Sequence, residues 1–137
     1  MRARKGSVSG RDIPVPKLRL SRPDATLPPV TPSQIEDIES LKAGLTGPQF
    51  LLFKHSHRCG TSDRAFRQYE KFLAEQADFP TGWINVVEQR DWSNEVERMT
   101  GVAHESPQAL WIRDGRVAWH ASHWDITVDA LQKAVAS

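Results

Sequence analysis

The sequence has very little cysteine: Cys59 is the only one in 137 residues. A single cysteine cannot form a disulfide within the chain, so any disulfide that Cys59 makes joins it to another molecule. Free thiols are typical of a reducing cytosol, where disulfides are transient. We therefore expect a cytoplasmic protein without structural disulfides, and the chain is long enough for one domain with its own core.

Long apolar runs are also missing. No stretch approaches the roughly 18 consecutive apolar residues that a membrane-spanning helix needs. The apolar residues near the start of the chain are interrupted by prolines and basic residues, a pattern that is not typical of a secretory signal. We therefore expect no membrane partner.

Residues 1–30 contain no aromatic side chain, are rich in proline and carry an excess of positive charge. The basic residues are Arg2, Arg4, Lys5, Arg11, Lys17, Arg19 and Arg22, against Asp12 and Asp24. A basic arm can attract nucleic acid or an anionic membrane, but this one has no aromatic ring to stack on bases. Its prolines also disfavour the amphipathic helix of an organellar transit peptide. We predict a flexible basic arm over 1–30, no nucleic-acid partner, and a folded domain over 31–137.

The folded domain is predicted to contain elements in the order helix, strand, helix, strand, helix, strand, strand, helix. The strands centre on 50–53, 83–87, 109–112 and 117–120, and the helical apolar stripes fall within 35–45, 66–77, 92–99 and 128–135. Thr31 to Gln34 reads as a capping box that starts the first helix, Gly44 as its end, Ser93 as the cap of the third helix and Thr127 as the cap of the last. Asp114-Gly115 predicts a hairpin between the last two strands.

This order predicts an α/β protein with a mixed central sheet of about four strands, flanked by helices and preceded by an extra N-terminal helix and the flexible arm. Two strand-helix-strand connections followed by a hairpin and a closing helix are the thioredoxin arrangement. In such a sheet the end of the first strand and the start of the next helix meet at the surface, where backbone N–H groups and the helix dipole favour an anion.

Cys59 occupies that position in the sequence, four to six residues after the first strand. Helix N-termini and cationic neighbours lower a thiol pKa from its ordinary value of about 8.5 and so favour the reactive thiolate. His57 and Arg58 are close enough in sequence to add positive charge. We therefore predict a redox-active Cys59 with a lowered pKa, supported by His57 and Arg58, although a buried structural cysteine is the commoner fate of a free thiol.

The position three residues after Cys59 is Ser62, so the motif is Cys-Gly-Thr-Ser. A dithiol oxidoreductase uses a second cysteine to release itself from a mixed disulfide. This chain needs an external thiol for that step, and we expect Ser62 to support the sulfur by hydrogen bonding. His55, His57 and Cys59 alternate and could share one face, but no second cysteine completes a four-ligand zinc site, so we predict no metal.

A second informative segment is His104 to Gln108, just before the third strand. In the thioredoxin arrangement a proline at this point is cis, whereas only about 5–6% of X-Pro bonds are cis in general. A cis Pro107 would turn the backbone of Ser106 toward the Cys59 corner. There it could pair with the backbone of a bound partner, as an added strand pairs with a sheet edge.

These segments together resemble the YtxJ-type monothiol bacilliredoxins, thioredoxin-like redox proteins of the bacillithiol system. The resemblance covers about residues 33–135 and rests on Phe53-Lys54-His55-Ser56-His57-Arg58-Cys59, Ser62, Arg90, Ser93-Asn94-Glu95, Thr100-Gly101-Val102, His104-Glu105-Ser106-Pro107-Gln108 and Ser122-His123. It implies that Cys59 is the catalytic residue and that bacillithiol is removed from bacillithiolated client proteins. Bacillithiol would be a co-substrate, recycled by its own disulfide reductase system, and no cofactor would be bound.

The resemblance also assigns the remaining candidate site residues. Ser106 and Pro107 would dock the client, and His104 and His123 would lie at the edge that binds the client or the small thiol. Cys-Gly-Thr-Ser is also similar to the Cys-Gly-Phe-Ser of monothiol glutaredoxins, which bind an iron-sulfur cluster with glutathione, so a cluster-binding protein is the alternative. A non-catalytic thioredoxin-fold adaptor with a redox-capped Cys59 is the third interpretation.

Overall fold

The computed structural model describes residues 32–58, 60–76 and 78–136; Cys59, the arm over 1–30 and Thr31 lie outside these ranges. The helices are α1 (Ile38–Thr46), α2 (Gly60–Ala74), α3 (Arg90–Thr100) and α4 (Val128–Ala136), and the strands are β1 (Gln49–His55), β2 (Thr81–Asn85), β3 (Gln108–Arg113) and β4 (Arg116–Ser122). A short 3-10 helix, His123–Asp125, follows β4. Over the described ranges, none of the helices is long and apolar enough to cross a membrane.

The strands form one mixed sheet in the order β2-β1-β3-β4. β1 runs parallel to β2 and antiparallel to β3, and β4 is antiparallel to β3. β1 is therefore a central strand with a neighbour on each edge. This is the mixed four-stranded thioredoxin-like sheet that the sequence predicts.

The helices cover both faces of the sheet because successive side chains of a strand point to opposite sides. Leu51 and Phe53 of β1 belong to a core cluster on one face that includes Tyr69 and Phe72 of α2, whereas Leu52 belongs to a second cluster on the other face. The second cluster draws on α1, α3 and the alternate residues of β2 and β3: Leu41, Leu45, Val96, Ile84, Leu110 and Ile112. β1 is buried on both faces for this reason, which explains its continuous apolar run.

The predicted β3–β4 turn is confirmed. Asp114 and Gly115 both have positive φ, 54° and 74°, as a two-residue hairpin turn of the Asp-Gly type requires. Thr127 also caps the last helix, since its hydroxyl accepts a hydrogen bond from the Ala130 N–H at 3.1 Å.

The predicted bounds of the first helix are wrong. α1 begins at Ile38, and Asp37 is its cap, accepting a hydrogen bond from the Ser40 N–H at 2.8 Å. Gln34 is instead part of a parallel bridge to Trp83, where the Ile35 N–H donates to the Trp83 carbonyl at 2.8 Å. The segment before α1 thus runs along the edge of β2 that faces away from β1. The helix also continues past Gly44, because Gly47 closes it by donating back to the Gly44 carbonyl.

Gly82 of β2 offers a direct test of this edge packing. A Cβ at Gly82 would lie 2.7 Å from Cγ1 of the buried Ile35, whereas a Cβ at Gly60, the first residue of α2, would meet nothing within 4 Å. We expect Gly82→Ala to lower the free energy of unfolding by about 1–3 kcal/mol through overpacking. Gly60→Ala, the matched control, should leave it unchanged or raise it by up to about 1 kcal/mol. Urea denaturation measures both, and equal stability of the two variants would contradict the packing described here.

Candidate redox site

The loop that contains Cys59 joins the centre of the sheet to α2. β1 ends at His55, Arg58 lies in the turn that follows, and Gly60 is the first residue of α2. The Arg58 N–H donates to the Ser56 hydroxyl at 3.3 Å, which tightens this turn. Arg58 and Gly60, the residues on either side of Cys59, therefore lie after the carboxyl end of β1 and at the N-terminus of a 15-residue helix. This is the place that the sequence predicts for an anion.

Ser62 ties the first turn of α2 back to the loop. Its side chain is fully buried, and its hydroxyl accepts a hydrogen bond from the Ser56 N–H at 2.9 Å. The same oxygen lies 2.7 Å from Nδ1 of His55. Burial lowers the pKa of His55, which favours a neutral ring that can either donate to Ser62 or accept from it. When His55 donates, the Ser62 proton stays free for another acceptor, so the predicted support of a sulfur depends on the His55 tautomer.

His57 is exposed, but one of its ring nitrogens is held by Asn85 at the end of β2. Asn85 Nδ2 lies 2.9 Å from His57 Nδ1. The Asn85 oxygen accepts hydrogen bonds from the N–H groups of Val87 and Glu88, at 2.9 and 3.3 Å. That arrangement fixes the amide with its NH2 group toward His57, so Nδ1 is the acceptor and the proton of the neutral imidazole lies on Nε2. Sequence reasoning missed Asn85, because its partner lies 28 residues away.

The Ser106–Pro107 peptide bond is cis, and it leads directly into β3. The Pro107 carbonyl accepts a hydrogen bond from the His123 N–H at 3.0 Å, which joins this loop to the end of β4. His123 has a φ of 54°, and its Nε2 lies 3.7 Å from a Glu105 carboxylate oxygen. The Ser106 hydroxyl is buried and has no hydrogen-bond partner among the residues that the structure describes.

His104 fastens the same loop to α3. The ring nitrogen Nδ1 of His104 lies 2.8 Å from the Ser93 hydroxyl, and the backbone N–H of His104 donates to a Glu97 carboxylate oxygen at 3.2 Å. Burial lowers the pKa of His104, and the positive charge of Lys54 lowers it further. Ser93 is thus a buried residue inside α3 rather than the cap predicted from its sequence position, because the helix begins three residues earlier, at Arg90.

Lys54, the penultimate residue of β1, is completely buried. Its ammonium donates to the side-chain oxygen of Gln108 at 2.9 Å, and the Gln108 amide in turn donates to the Ala103 carbonyl at 3.1 Å. Lys54 is therefore connected through Gln108 to the loop before β3. Burial lowers its pKa to about 8, against the weaker attraction of Glu97 and Glu105. Sequence reasoning gave Lys54 no role, although a lysine that continues the buried run 50–53 is the available signal.

A polar cleft of about 520 Å³ opens between these loops and α3. Its walls come from the residues before Cys59, from the end of β2, from the first turns of α3 and from the loop before Pro107. The lining residues are Ser56, Arg58, Val86, Val87, Arg90, Ser93, Asn94, His104 and Ser106. The fold therefore brings Arg58, His104 and Ser106 of the predicted site to one cleft, whereas Ser62 and His123 do not line it.

Lys54 predicts a specific pH dependence of stability. In the unfolded chain this lysine keeps its proton up to about pH 10.5, whereas in the folded protein it loses it near pH 8. The unfolded state thus binds more protons between these values, and the free energy of unfolding should rise with pH across that window. The shift corresponds to roughly 3 kcal/mol of destabilisation below pH 8.

Lys54→Met retains the length and removes the charge. We expect it to be more stable than the wild type at pH 7, by about 1–3 kcal/mol, and to show a smaller rise in stability between pH 8 and 10.5. Urea denaturation at several pH values measures both effects, with Lys133→Met, which changes an exposed lysine of α4, as the control. Parallel pH profiles for the wild type and Lys54→Met would contradict the assignment.

The Asn85 contact predicts the tautomer of His57. Long-range proton–nitrogen NMR should show an unprotonated Nδ1 in the neutral ring. Asn85→Asp keeps the acceptor for Val87 and Glu88 but offers His57 only an oxygen, so the proton should move to Nδ1. The exposed His120 serves as an internal reference whose tautomer should not change. A protonated Nδ1 in the wild type would refute the contact.

Comparisons with known proteins agree with this geometry. A family model described as monothiol bacilliredoxin BrxC matches residues 31–131. A solved structure described as a candidate oxidoreductase with a thioredoxin fold is 32% identical, with a TM-score of 0.70 over 75% of this chain and 92% of that chain.

More distant solved structures share the fold. Mitochondrial thioredoxin 3 from Saccharomyces cerevisiae is 14% identical, with a TM-score of 0.60 over 77% of this chain and 93% of its own. Thioredoxin from Trypanosoma brucei brucei is 12% identical, with a TM-score of 0.64 over 87% and 96%. These two show the thioredoxin fold alone. The family match spans most of the described domain and includes the single cysteine, and the chain therefore belongs to the monothiol bacilliredoxin family.

Proposed function

We propose that this protein is a monothiol thiol-disulfide oxidoreductase that removes bacillithiol from S-bacillithiolated proteins through a mixed disulfide on Cys59. Membership of the bacilliredoxin family supports thiol redox chemistry. The observation that carries the proposal is the position of the only cysteine between Arg58 and the first residue of α2. A thiol so placed is favoured as the thiolate.

The proposed cycle consists of two thiol-disulfide exchanges. The Cys59 thiolate attacks the bacillithiol sulfur of the client's mixed disulfide, so a new disulfide joins Cys59 to bacillithiol and the client leaves as a thiolate. A second bacillithiol thiolate then attacks the sulfur of the bound bacillithiol. This step releases oxidised bacillithiol and restores the Cys59 thiolate. A separate reductase recycles the oxidised bacillithiol, and no bound cofactor or metal takes part.

The residues around Cys59 have distinct proposed roles. Arg58 places a cationic guanidinium one residue from the thiolate, and His57 presents its Nε2–H once Asn85 holds Nδ1. Ser62 supports the sulfur whenever His55 supplies the proton of their shared hydrogen bond. Each of these groups would lower the free energy of the thiolate relative to the thiol.

The client is proposed to dock along Ser106 and Pro107, beside the cleft that Arg58 also lines. The hydrogen bond from His123 joins this segment to the end of β4, and the segment leads into β3 next to the end of β1. An extended client segment would pair with the Ser106 backbone as an added strand does. His104 and His123 flank that segment and would contribute to its edge. The reducing cytoplasm is the compartment that such an exchange requires.

The proposed activity is tested with a bacillithiolated client protein, excess bacillithiol and this protein. We expect release of the client thiol to be faster than in buffer, and Cys59→Ser to abolish the acceleration because serine cannot form the mixed disulfide. Ser33→Ala, a hydroxyl change distant from the site in sequence, is the control and should retain full activity. Equal rates with the wild type and Cys59→Ser would refute the proposal, and preference for a glutathionylated client would refute the choice of thiol.

A further inference from the structure

The polar cleft beside the Cys59 loop has the size and lining of a small-molecule site. At about 520 Å³ it falls within the range of pockets that enclose small ligands, roughly 300–1,000 Å³. Ser56 and Arg58 bring the lining to within one residue of Cys59 in the chain, and Ser106 brings it to the residue before Pro107. A small molecule whose sulfur is bonded to Cys59 could therefore extend into this cleft.

The charge of the lining selects for anions. Arg58 and Arg90 both line the cleft, and none of the described lining residues is acidic. The positive charge of Lys54 is close enough to His104, a lining residue, to lower the pKa of that ring. The two carboxylates that act on Lys54 and His104 have partners of their own, since Glu97 accepts from the backbone N–H of His104 and Glu105 lies beside His123. A guanidinium binds a carboxylate through two parallel hydrogen bonds.

The remaining lining offers hydrogen bonds to hydroxyl groups. The Ser106 hydroxyl is buried without a partner among the described residues, which is costly unless a ligand or water completes it. Asn94 and Ser93 face the same space from α3. The cleft thus combines carboxylate-binding cations with donors and acceptors for a polyhydroxylated group.

We propose that this cleft binds the carboxylate- and hydroxyl-bearing part of the low-molecular-weight thiol, and that Arg90 is the residue that selects an anionic thiol. The proposal rests on the redox role proposed for Cys59. Arg58 and Arg90 then have separate tasks. Arg58 adjoins the sulfur and favours the thiolate for every substrate, whereas Arg90, at the start of α3, touches only the distal part of the small thiol.

Two symmetric small disulfides distinguish these tasks: dianionic 3,3′-dithiodipropionate and neutral 2-hydroxyethyl disulfide. In each reaction the Cys59 thiolate attacks one sulfur, a disulfide forms between Cys59 and that half, and the other half leaves as a thiolate. Rapid-mixing kinetics at low ionic strength should show Arg90→Gln slowing the dianionic probe by about tenfold while the neutral probe changes less than about twofold. Arg58→Gln should slow both probes.

Arg98→Gln is the matched control, because it removes the same charge from the same helix at a residue that pairs with Glu95 outside the cleft. It should leave the rate ratio of dianionic to neutral probe at the wild-type value. Equal slowing of both probes by Arg90→Gln, or the same change of the ratio by Arg98→Gln, would overturn the proposal.

A binding measurement separates failure of the cleft from failure of the redox proposal. Cys59→Ser protein cannot react, so 3,3′-dithiodipropionate can be titrated against it while NMR follows the Arg90 Nε–H and the Ser106 amide. A shift of the Arg90 Nε–H signal in the Cys59→Ser protein, with a shift of the Ser106 amide that is lost in the Cys59→Ser, Arg90→Gln protein, supports the site even if Cys59 exchanges with neither probe. Unchanged signals at millimolar probe overturn it even if Cys59 is reactive.

Discussion

The site depends on the burial of β1 on both faces and on both edges. A strand with parallel β2 on one side and antiparallel β3 on the other has no freedom to shift in register, because a one-residue slip would exchange the two core faces. Its end at His55 is therefore a fixed point. Three side-chain hydrogen bonds fasten the surrounding elements to that point: Ser62 joins α2 to Ser56, Asn85 joins β2 to His57, and Lys54 joins β1 to Gln108 of β3.

Of the three groups that make these hydrogen bonds, Lys54 is the one whose burial lowers the free energy of unfolding at neutral pH. Its charge is buried against a neutral amide, and the attraction of Glu97 and Glu105 is weaker than the desolvation that lowers its pKa, so the ammonium is destabilising relative to an apolar side chain. The Lys54 ammonium nevertheless donates to Gln108, and the Gln108 amide donates to the Ala103 carbonyl. These two hydrogen bonds connect the loop that precedes Pro107 to the buried end of β1. If this loop docks the client as proposed, a polar contact that positions it at the expense of stability is the trade-off expected of an active site.

Local patterns in the sequence predicted the parts of the fold that local physics determines. The Asp114-Gly115 turn, the buried run of β1 and the cap at Thr127 each follow from a few adjacent residues. The start of α1 was missed because Gln34 and Ile35 pair with Trp83, and a bridge across some fifty residues overrides a local capping signal. Asn85, Lys54 and the cleft were missed for the same reason: their partners come together only when β1, β2 and β3 assemble.

The arrangement of the site bears on a problem that every one-cysteine exchange must solve, namely which of two sulfurs is attacked. If Cys59 attacked the client sulfur, the client would become bound to Cys59 and the small thiol would leave, so the client would not be released in that step. The outcome depends on which half of the mixed disulfide is held in line with the thiolate. The cationic cleft adjoins the Ser106–Pro107 segment, because Ser106 lines the cleft while its backbone is the part proposed to pair with the client. A small anionic thiol seated in the cleft would present its own sulfur to Cys59 while the client occupies the strand-pairing segment. Under the two proposals, Arg90 would thus decide which sulfur reacts as well as which thiol binds.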